Sequence, residues 1–269
     1  MIRKSFICSL LSLCFSVANA QDDQWDVYMA QYEKGVGSVL INISAKNIAP
    51  GSGYPFILVT GVTYTGCNPD GLPAKAQFED LYTISDSVKK IIDKHTSNIP
   101  VGTFTYQCER LDYYYIKDTS GIRQQLDRMY TSRFKKYPSY ISIKEDKKWL
   151  AYLDFLYPNE ETLEYMGNQK VVMKLVEAGD KLEKERQVDH WIYFVSEKDR
   201  DCFIAYATRN GFKVEAKEHI ADATRPFKLQ ISRVDKIDMP NITDITLSLR
   251  REAPKCNGVY DGWETFVIK

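Results

Sequence analysis

The sequence is poor in the residues from which most catalytic and metal sites are built. Its 269 residues include three histidines, His95, His190 and His219. None of them lies at a metal-binding spacing or next to a candidate nucleophile. No two cysteines have the C-x-x-C spacing that is typical of zinc sites. The residues therefore predict a protein that is not an enzyme and that holds no metal or other cofactor.

Net charge and long apolar runs are also missing. The chain has 36 basic and 36 acidic residues, so it has no electrostatic footprint for nucleic acid or for an anionic membrane surface. Beyond the N-terminus, no apolar run approaches the length that a membrane-spanning helix needs. We therefore expect neither nucleic-acid binding nor membrane insertion.

The first twenty residues have the three parts of a secretory signal peptide. Arg3 and Lys4 form a basic start, an apolar run from Phe6 to Val17 follows, and Ala18-Asn19-Ala20 fits a cleavage site. Cleavage after Ala20 would remove two basic residues and no acidic one, which leaves a net charge near −2. We therefore expect a periplasmic or secreted bacterial protein, residues 1–20 being its signal peptide.

Four cysteines remain after such a cleavage: Cys67, Cys108, Cys202 and Cys256. In an oxidising compartment they allow three pairings. Free buried thiols are the other interpretation. The predicted export favours structural disulfides.

The first part of the mature chain, residues 21–157, predicts an α+β domain of unknown function. The β-forming segments Trp25–Tyr32 and Ser38–Ser44 flank a glycine-containing turn and predict a β-hairpin. The patterns that follow have the order βαββαβ. They are Pro55–Tyr64, Ala74–His95, Gly102–Glu109, Asp112–Lys117, Ser120–Lys136 and Tyr140–Ile143, with Lys148–Leu156 as a candidate extension of the sheet.

The next segment, Tyr157–Asn168, is polar and turn-rich and predicts a linker. A helix pattern over Gln169–Glu185 then opens a second domain, residues 169–269, in which the order βαββαβ returns. Its segments are His190–Val195, a helix capped by Ser196 that ends at Asn210, Phe212–His219, Phe227–Val234, a helix capped by Asn241, and a final strand. We therefore predict the α+β class, with two ferredoxin-like βαββαβ sandwiches on antiparallel sheets, the N-terminal one extended by the hairpin.

That topology favours one pairing of the cysteines. The two helices of such a sandwich run antiparallel, so the start of the first and the end of the second lie at one edge. Cys202 and Cys256 occupy those two places. Cys67 follows the first strand of its domain and Cys108 ends the second, which also brings them to one edge. We expect the disulfides Cys202–Cys256 and Cys67–Cys108.

The last residues carry the most distinctive motif of the chain. A strand over Gly258–Ile268 would place Trp263 and Val267 on one face and Phe266 and Ile268 on the other. Gly262 indicates a β-bulge or a close backbone approach. One interpretation makes the motif's aromatic residues part of the core and its acids solvated. The other makes the motif a binding surface, formed by Tyr260, Asp261, Gly262, Trp263 and Glu264.

Two segments resemble known families. The C-terminal half is similar to the regulator of ribonuclease activity B family on the strand Asp189–Phe194, on Asn210-Gly211-Phe212, and above all on Gly258-x-Tyr260-Asp261-Gly262-Trp263-Glu264-Thr265. The segment from Trp25 to Tyr157 resembles the domain-of-unknown-function family numbered 695, which brings no known activity. The first resemblance implies a non-enzymatic protein that binds and inhibits the endoribonuclease E.

The predicted signal peptide departs from that setting, because it directs the chain away from a cytoplasmic ribonuclease. We therefore predict a secreted, non-enzymatic binding or regulatory module whose partner is another protein. An immunity-type protein that neutralises a toxin is one alternative. A hydrolase is the enzymatic alternative, and it would need a pocket that unites a histidine with acids.

Overall fold

The computed structural model describes residues 23–51 and 53–269. The predicted signal peptide lies outside these residues. The chain divides into two compact units between Leu156 and Tyr157. Each unit has its own antiparallel sheet with helices, which confirms the predicted α+β class. No helix in the described part of the chain is long and apolar enough to cross a membrane.

The first unit is built on a six-stranded antiparallel sheet. Its strands are β1 (Trp25–Tyr32), β2 (Gly35–Asn42), β3 (Phe56–Thr63), β4 (Asn98–Tyr106), β5 (Glu109–Ile116) and β6 (Ser139–Glu145). They lie in the order β1-β2-β4-β5-β3-β6. The last four strands have the arrangement of a ferredoxin-like sandwich, and the hairpin β1–β2 extends it at one edge, as predicted.

Two helices, α1 (Phe78–His95) and α2 (Ile122–Arg133), pack on one face of this sheet. α1 buries an apolar stripe that recurs at helical spacing, formed by Leu81, Ile84, Val88 and Ile92. These side chains share a core with Leu58 and Tyr114 of the sheet and with Leu126 of α2. The helices therefore cover the face to which Tyr114 and Ile116 point.

In the hairpin of β4 and β5 the strand bounds differ from those predicted. Gln107 and Cys108 both have positive φ, 50° and 61°, as the two central residues of a type I′ turn require. Cys108 therefore lies in the turn, and Glu109 belongs to β5. β4 starts earlier than predicted, at Asn98, because a register shift next to Pro100 accommodates the missing backbone donor.

The segment Lys148–Leu156 does not extend the sheet, so this prediction was wrong. Residues Ala151–Leu156 form a π-helical turn, which packs on the sheet face opposite α1 and α2. The Trp149 ring stacks on Tyr115 with centroids 4.0 Å apart. The Tyr152 hydroxyl donates a hydrogen bond of 2.7 Å to the carbonyl of Asn42. The apolar residues of the segment cover strands instead of joining them.

The second unit repeats the same plan with one additional helix. Its strands are β7 (Arg186–Phe194), β8 (Lys213–His219), β9 (Phe227–Asp235) and β10 (Gly258–Glu264), and its helices are α3 (Glu160–Glu177), α4 (Glu197–Arg209) and α5 (Met239–Glu252). The strand order β10-β7-β9-β8 is again that of a ferredoxin-like sandwich. β10 and β8 are the edges of this sheet.

The predicted linker is instead the first half of α3. Asn159 caps this helix by accepting a hydrogen bond of 2.8 Å from the N–H of Thr162. Glu160 and Glu161 occupy the first turn, where negative charge is favourable. The polar composition that suggested a linker is therefore the start of a helix. The same helix ends at Glu177, earlier than predicted.

The caps of the two following helices show one confirmed and one corrected prediction. Ser196 caps α4, since its hydroxyl accepts a hydrogen bond of 3.2 Å from the N–H of Asp199. α5 is capped by Asp238, which accepts from the N–H of Asn241 at 3.2 Å. Pro240 then lies in the first turn, where its missing N–H costs nothing.

The four described cysteines form two disulfides. Cys67 is bonded to Cys108 and Cys202 to Cys256, with Cα–Cα distances of 5.7 and 5.8 Å. Both distances lie in the usual range for a disulfide. These are the pairs that the topology favours.

Candidate functional site

The C-terminal motif lies on the edge strand β10, and a β-bulge decides which way its side chains point. β10 pairs with β7 up to Tyr260 and again from Gly262, so Asp261 is the extra residue of the bulge. An extra residue shifts the alternation of the strand by one position. Tyr260 and Trp263 therefore point to the same side, whereas regular alternation would have placed them on opposite faces. The bulge that Gly262 predicts is confirmed.

The strand is also shorter than predicted. β10 ends at Glu264, so Phe266 and Ile268 do not lie on a strand face. Their backbone is held by side chains of the second unit. The carbonyl of Phe266 accepts from Arg186 at 3.3 Å, and the N–H of Ile268 donates to Asp180 at 2.7 Å.

Tyr260 is a core residue, with 2% of its surface exposed. Its hydroxyl lies 2.9 Å from Nδ1 of His190, which is also fully buried. Burial raises the pKa of the Tyr260 phenol and lowers the pKa of His190 to about 3. Both groups are therefore neutral at physiological pH, and the pair is a neutral polar contact inside the fold.

Trp263 is also buried, with 8% exposed. Its indole N–H donates a hydrogen bond of 2.7 Å to Oδ1 of Asn168 on α3. The amide of Asn168 donates in turn to Thr246 on α5 at 2.8 Å. This network ties β10 to two helices. As a contact surface the motif is therefore corrected to Asp261, Gly262 and Glu264, because its two aromatic members face the core.

A cleft of about 410 Å³ lies beside β10, lined by Glu164, Arg250, Val259 and Tyr260 among others. Arg250 forms an ion pair with Glu164, donates to the carbonyl of Tyr260 at 3.4 Å, and has its guanidinium 5.3 Å from the centre of the Tyr260 ring. Arg250 and Glu164 of the cleft are therefore already paired with each other. In the described part of the chain, no group of three or more histidine, cysteine or acidic residues is arranged to hold a metal ion.

The outward members of the motif belong to the sheet face that points away from the helices of the second unit. The core side of β7 is formed by Val188, Ile192 and Phe194, which pack under the helices. The alternate residues of β7 point the other way. They are Asp189, Trp191 and Tyr193, which are half-buried. Val195, which directly follows the strand, is exposed.

Trp191 is half-buried on this outer face. Its cross-strand partner is Gly262. A Cβ added at Gly262 would meet no atom within 4 Å. The glycine, which has a φ of 150° in the bulge, therefore places no side chain opposite Trp191.

Two opposed acids lie next to Trp191 along the strands. Glu264 lies directly across from Asp189 in the β10–β7 register, and residues directly opposite each other share a face, with Cβ atoms roughly 5 Å apart. Asp189 accepts hydrogen bonds from the Gln187 and Gln230 amides at 3.1 Å each. No lysine, arginine or histidine among the described residues forms an ion pair with either acid.

We call this set the acidic-aromatic face: Asp189, Trp191, Asp261, Gly262 and Glu264. Sequence reasoning identified its β10 members and missed its β7 members, Asp189 and Trp191. The signal was present, because Val188, His190, Ile192 and Phe194 alternate with them along one strand. Which of the two sets faces the helices is decided by packing.

Comparison with known proteins gives two family matches. Residues 23–157 match the Family of unknown function (DUF695), and residues 166–265 match the Regulator of ribonuclease activity B. No curated protein matches the chain. Among solved structures, an unknown protein from Galdieria sulphuraria is 10% identical with a TM-score of 0.22, over 79% of this chain and 97% of that chain. A TM-score this low supports no argument about this protein.

Both resemblances found in the sequence are therefore confirmed. The first match covers half of the chain, and the second covers nearly all of the second unit. The chain belongs to the DUF695 family, and its second unit carries a domain that matches the Regulator of ribonuclease activity B.

Proposed function

We propose that this chain is an exported, non-enzymatic regulatory protein that binds another protein through the acidic-aromatic face of its second unit. The match to a family named as a regulator of ribonuclease activity supports a regulatory role. The observation that carries the location of the surface is Trp191, which is half-buried on the outer sheet face next to two opposed acids without counter-ions.

The chemistry of this face favours a basic partner. Tryptophan is enriched among residues that dominate protein interfaces, since it combines a large apolar area with one polar atom. Asp189 and Glu264 repel each other in the free protein, because like charges directly opposite on a sheet are unfavourable. A lysine or arginine supplied by a partner would relieve that repulsion and would also steer association.

Export is supported by the cysteines together with the predicted signal peptide. Structural disulfides are rare in the cytoplasm, where thiols are kept reduced. Two of them, one in each unit, fit a periplasmic or extracellular protein. The partner that we propose is therefore a protein of the envelope or the exterior, and not the ribonuclease that the family name suggests.

The test is affinity capture from envelope and culture fractions with immobilised residues 21–269. The captured protein is then purified and its affinity is measured directly against wild type and two variants. Glu264→Arg reverses the charge beside Trp191. Asp244→Arg makes the same change at an exposed position of α5, on the helix side of the sheet, and serves as the matched control.

We expect Glu264→Arg to lower the affinity for the purified partner at least tenfold. Asp244→Arg should leave that affinity unchanged. Equal affinity for wild type and Glu264→Arg would contradict the proposed surface. The catalytic domain of endoribonuclease E is a second probe. Suppose that this domain bound with the same dependence on Glu264 and that fractionation placed the chain in the cytoplasm. The claim that the protein is exported would then be wrong.

A further inference from the structure

A cluster of aromatic side chains lies on the sheet face of the first unit, next to the π-helical turn. The rings are in contact, with centroids 5.1 Å apart for Tyr32 and Phe104 and 5.2 Å apart for Phe104 and Phe155. Tyr106 stacks on Phe104 at 5.7 Å, and Tyr113 lies 6.1 Å from Phe155. Phe155 is 42% exposed. We call these five rings the aromatic platform.

The backbone is shaped to hold the platform in place. A Cβ at Gly37 would lie 2.7 Å from the Tyr32 ring and 2.9 Å from the Phe104 ring, so only glycine lets both rings pack across β2. The Tyr106 hydroxyl accepts a hydrogen bond of 2.8 Å from the N–H of Lys34 in the β1–β2 turn. The rings are therefore fixed before any ligand arrives.

One carboxylate borders the platform. Glu109 is the cross-strand neighbour of Tyr106 and lies on the same face. Its negative charge helps to raise the pKa of Tyr113, after the larger effect of burial. Burial in turn raises the pKa of Glu109 itself. No described residue forms a hydrogen bond or an ion pair with the Glu109 carboxylate.

Other aromatic rings of this protein are already covered by its own cations. The guanidinium of Arg233 lies 4.2 Å from the centre of the Phe212 ring, and that of Arg110 lies 5.3 Å from the centre of Tyr82. Among the described residues, no lysine or arginine lies over a ring of the platform. Phe155 is exposed, Tyr32, Phe104 and Tyr106 are half-buried, and Tyr113 is buried beneath them. The platform thus combines partly exposed rings, whose faces carry partial negative charge, with a partly desolvated acid that lacks a counter-ion.

We propose that the aromatic platform and Glu109 bind an extended, arginine- or lysine-containing segment of another protein. The cationic side chains stack on the rings while one of them pairs with Glu109. The partly exposed rings from Tyr106 to Phe155 span on the order of 10 Å, which is the length of about three extended residues at about 3.3 Å each. A neutral ligand would bury Glu109 further without compensating its charge.

The experiment uses residues 21–269 and fluorescein-labelled hexapeptides, with affinity measured by fluorescence anisotropy at physiological salt. The probes are hexa-arginine, a glycine-serine hexapeptide and hexa-glutamate. Glu109→Gln removes the charge at nearly constant shape, and Phe155→Ala removes one exposed ring. Glu79→Gln is the matched control, because Glu79 is exposed on α1, which packs on the opposite face of the same sheet.

We expect wild type to bind hexa-arginine and neither of the other peptides. Glu109→Gln and Phe155→Ala should each raise the Kd about tenfold, whereas Glu79→Gln should change it less than twofold. Urea unfolding of each variant shows whether it is folded. If Phe155→Ala fails to fold, the result with Glu109→Gln, which keeps the size and shape of the side chain, decides the outcome.

Three outcomes would overturn the proposal. They are the absence of hexa-arginine binding to wild type, an equal loss with Glu79→Gln, and equal affinity for hexa-arginine in wild type and Glu109→Gln. Binding of the glycine-serine peptide as tight as that of hexa-arginine would show a platform for uncharged ligands and would also overturn the proposal. Glu264→Arg should leave hexa-arginine binding to the platform unchanged, so the two proposed surfaces fail independently.

Discussion

The hydroxyl of Tyr260 lies 2.9 Å from Nδ1 of His190, and both side chains are buried. This contact joins the aromatic part of the C-terminal motif to the strand β7. The residues of the motif thus divide into a buried pair and an outward pair. Tyr260 and Trp263 hold the edge strand against the core, while Asp261 and Glu264 stay outside.

The buried histidine predicts a pH dependence of stability. The pKa of His190 is lowered to about 3 in the fold, against about 6.5 in an unfolded chain. The unfolded state therefore binds a proton that the folded state excludes, so stability falls as the pH drops below about 6.5 and the loss is complete near the folded pKa. We expect the free energy of unfolding to fall by about 2 kcal/mol between about pH 6.5 and 5 in urea titrations.

The control for this prediction is a pair of variants. His190→Gln cannot titrate and can still bond to Tyr260, so its unfolding should lose that slope. His219→Gln, at an exposed position of β8, should keep it. A slope that persists in His190→Gln would assign the pH dependence to other groups.

The indole of Trp263 predicts a loss of stability without a loss of binding. Trp263→Phe removes the donor to Asn168 and leaves a buried oxygen unsatisfied, which costs about 2 kcal/mol. Trp263→Ala should cost about 3–5 kcal/mol. Both variants, measured at a temperature where they are folded, should bind the partner normally.

Trp191→Ser is the complementary variant. Trp191 lies on the outer face. This change should therefore lower the affinity for the partner strongly while it lowers the stability of the fold only a little. If Trp263→Phe weakened binding while it remained fully folded, the division of the motif into core and surface members would be wrong.

A buried ion pair holds the C-terminal segment. The side chains of Asp180 and Arg186 are each 1% exposed, and Asp180 also accepts from the N–H of Ile268 at 2.7 Å. The hydrogen bond from Arg186 is the main reason why the pKa of Asp180 lies well below its usual range. This stabilisation is present above about pH 4 and is lost as the pH falls towards the lowered pKa.

Breaking this pair should be costly. Asp180→Asn leaves the Arg186 charge buried without a counter-ion, and we expect a loss of about 3 kcal/mol. The residues after Glu264 should also become accessible to carboxypeptidase. The double variant Asp180→Asn with Arg186→Met should lose less than the two single variants added together. Strict additivity would show that the two side chains are not coupled.

The opposed acids predict a gain of stability at the cost of binding. Glu264→Gln removes the repulsion with Asp189 and should raise the free energy of unfolding by about 0.5 kcal/mol at low salt, with the gain lost at high salt. Glu218→Gln is the control, because Glu218 pairs with Lys228 at 3.2 Å, and it should give no gain. A loss of stability in Glu264→Gln would contradict this prediction and would show that Glu264 stabilises the fold.

Most of the fold was predictable because each segment has a pattern that only one element satisfies. The apolar spacing of Leu81, Ile84, Val88 and Ile92 suits a helix, and the alternation of Phe227, Leu229 and Ile231 suits a strand. The order βαββαβ follows from such patterns in both units. Predictions failed where the same residues are typical of two kinds of structure. Asn159-Glu160-Glu161, for example, is equally typical of a loop and of a helix start.

Periodicity and chain order are local properties, so the residues alone predict the order of the elements, the α+β class and the cysteine pairs that this topology favours. Three features emerge with the fold: Trp149 and Tyr152 cover the first sheet, the bulge at Asp261 turns Tyr260 and Trp263 to the same side, and Trp191 points outward. A strand pattern shows which residues share a face. Which face meets the helices depends on packing between elements that are distant in the chain.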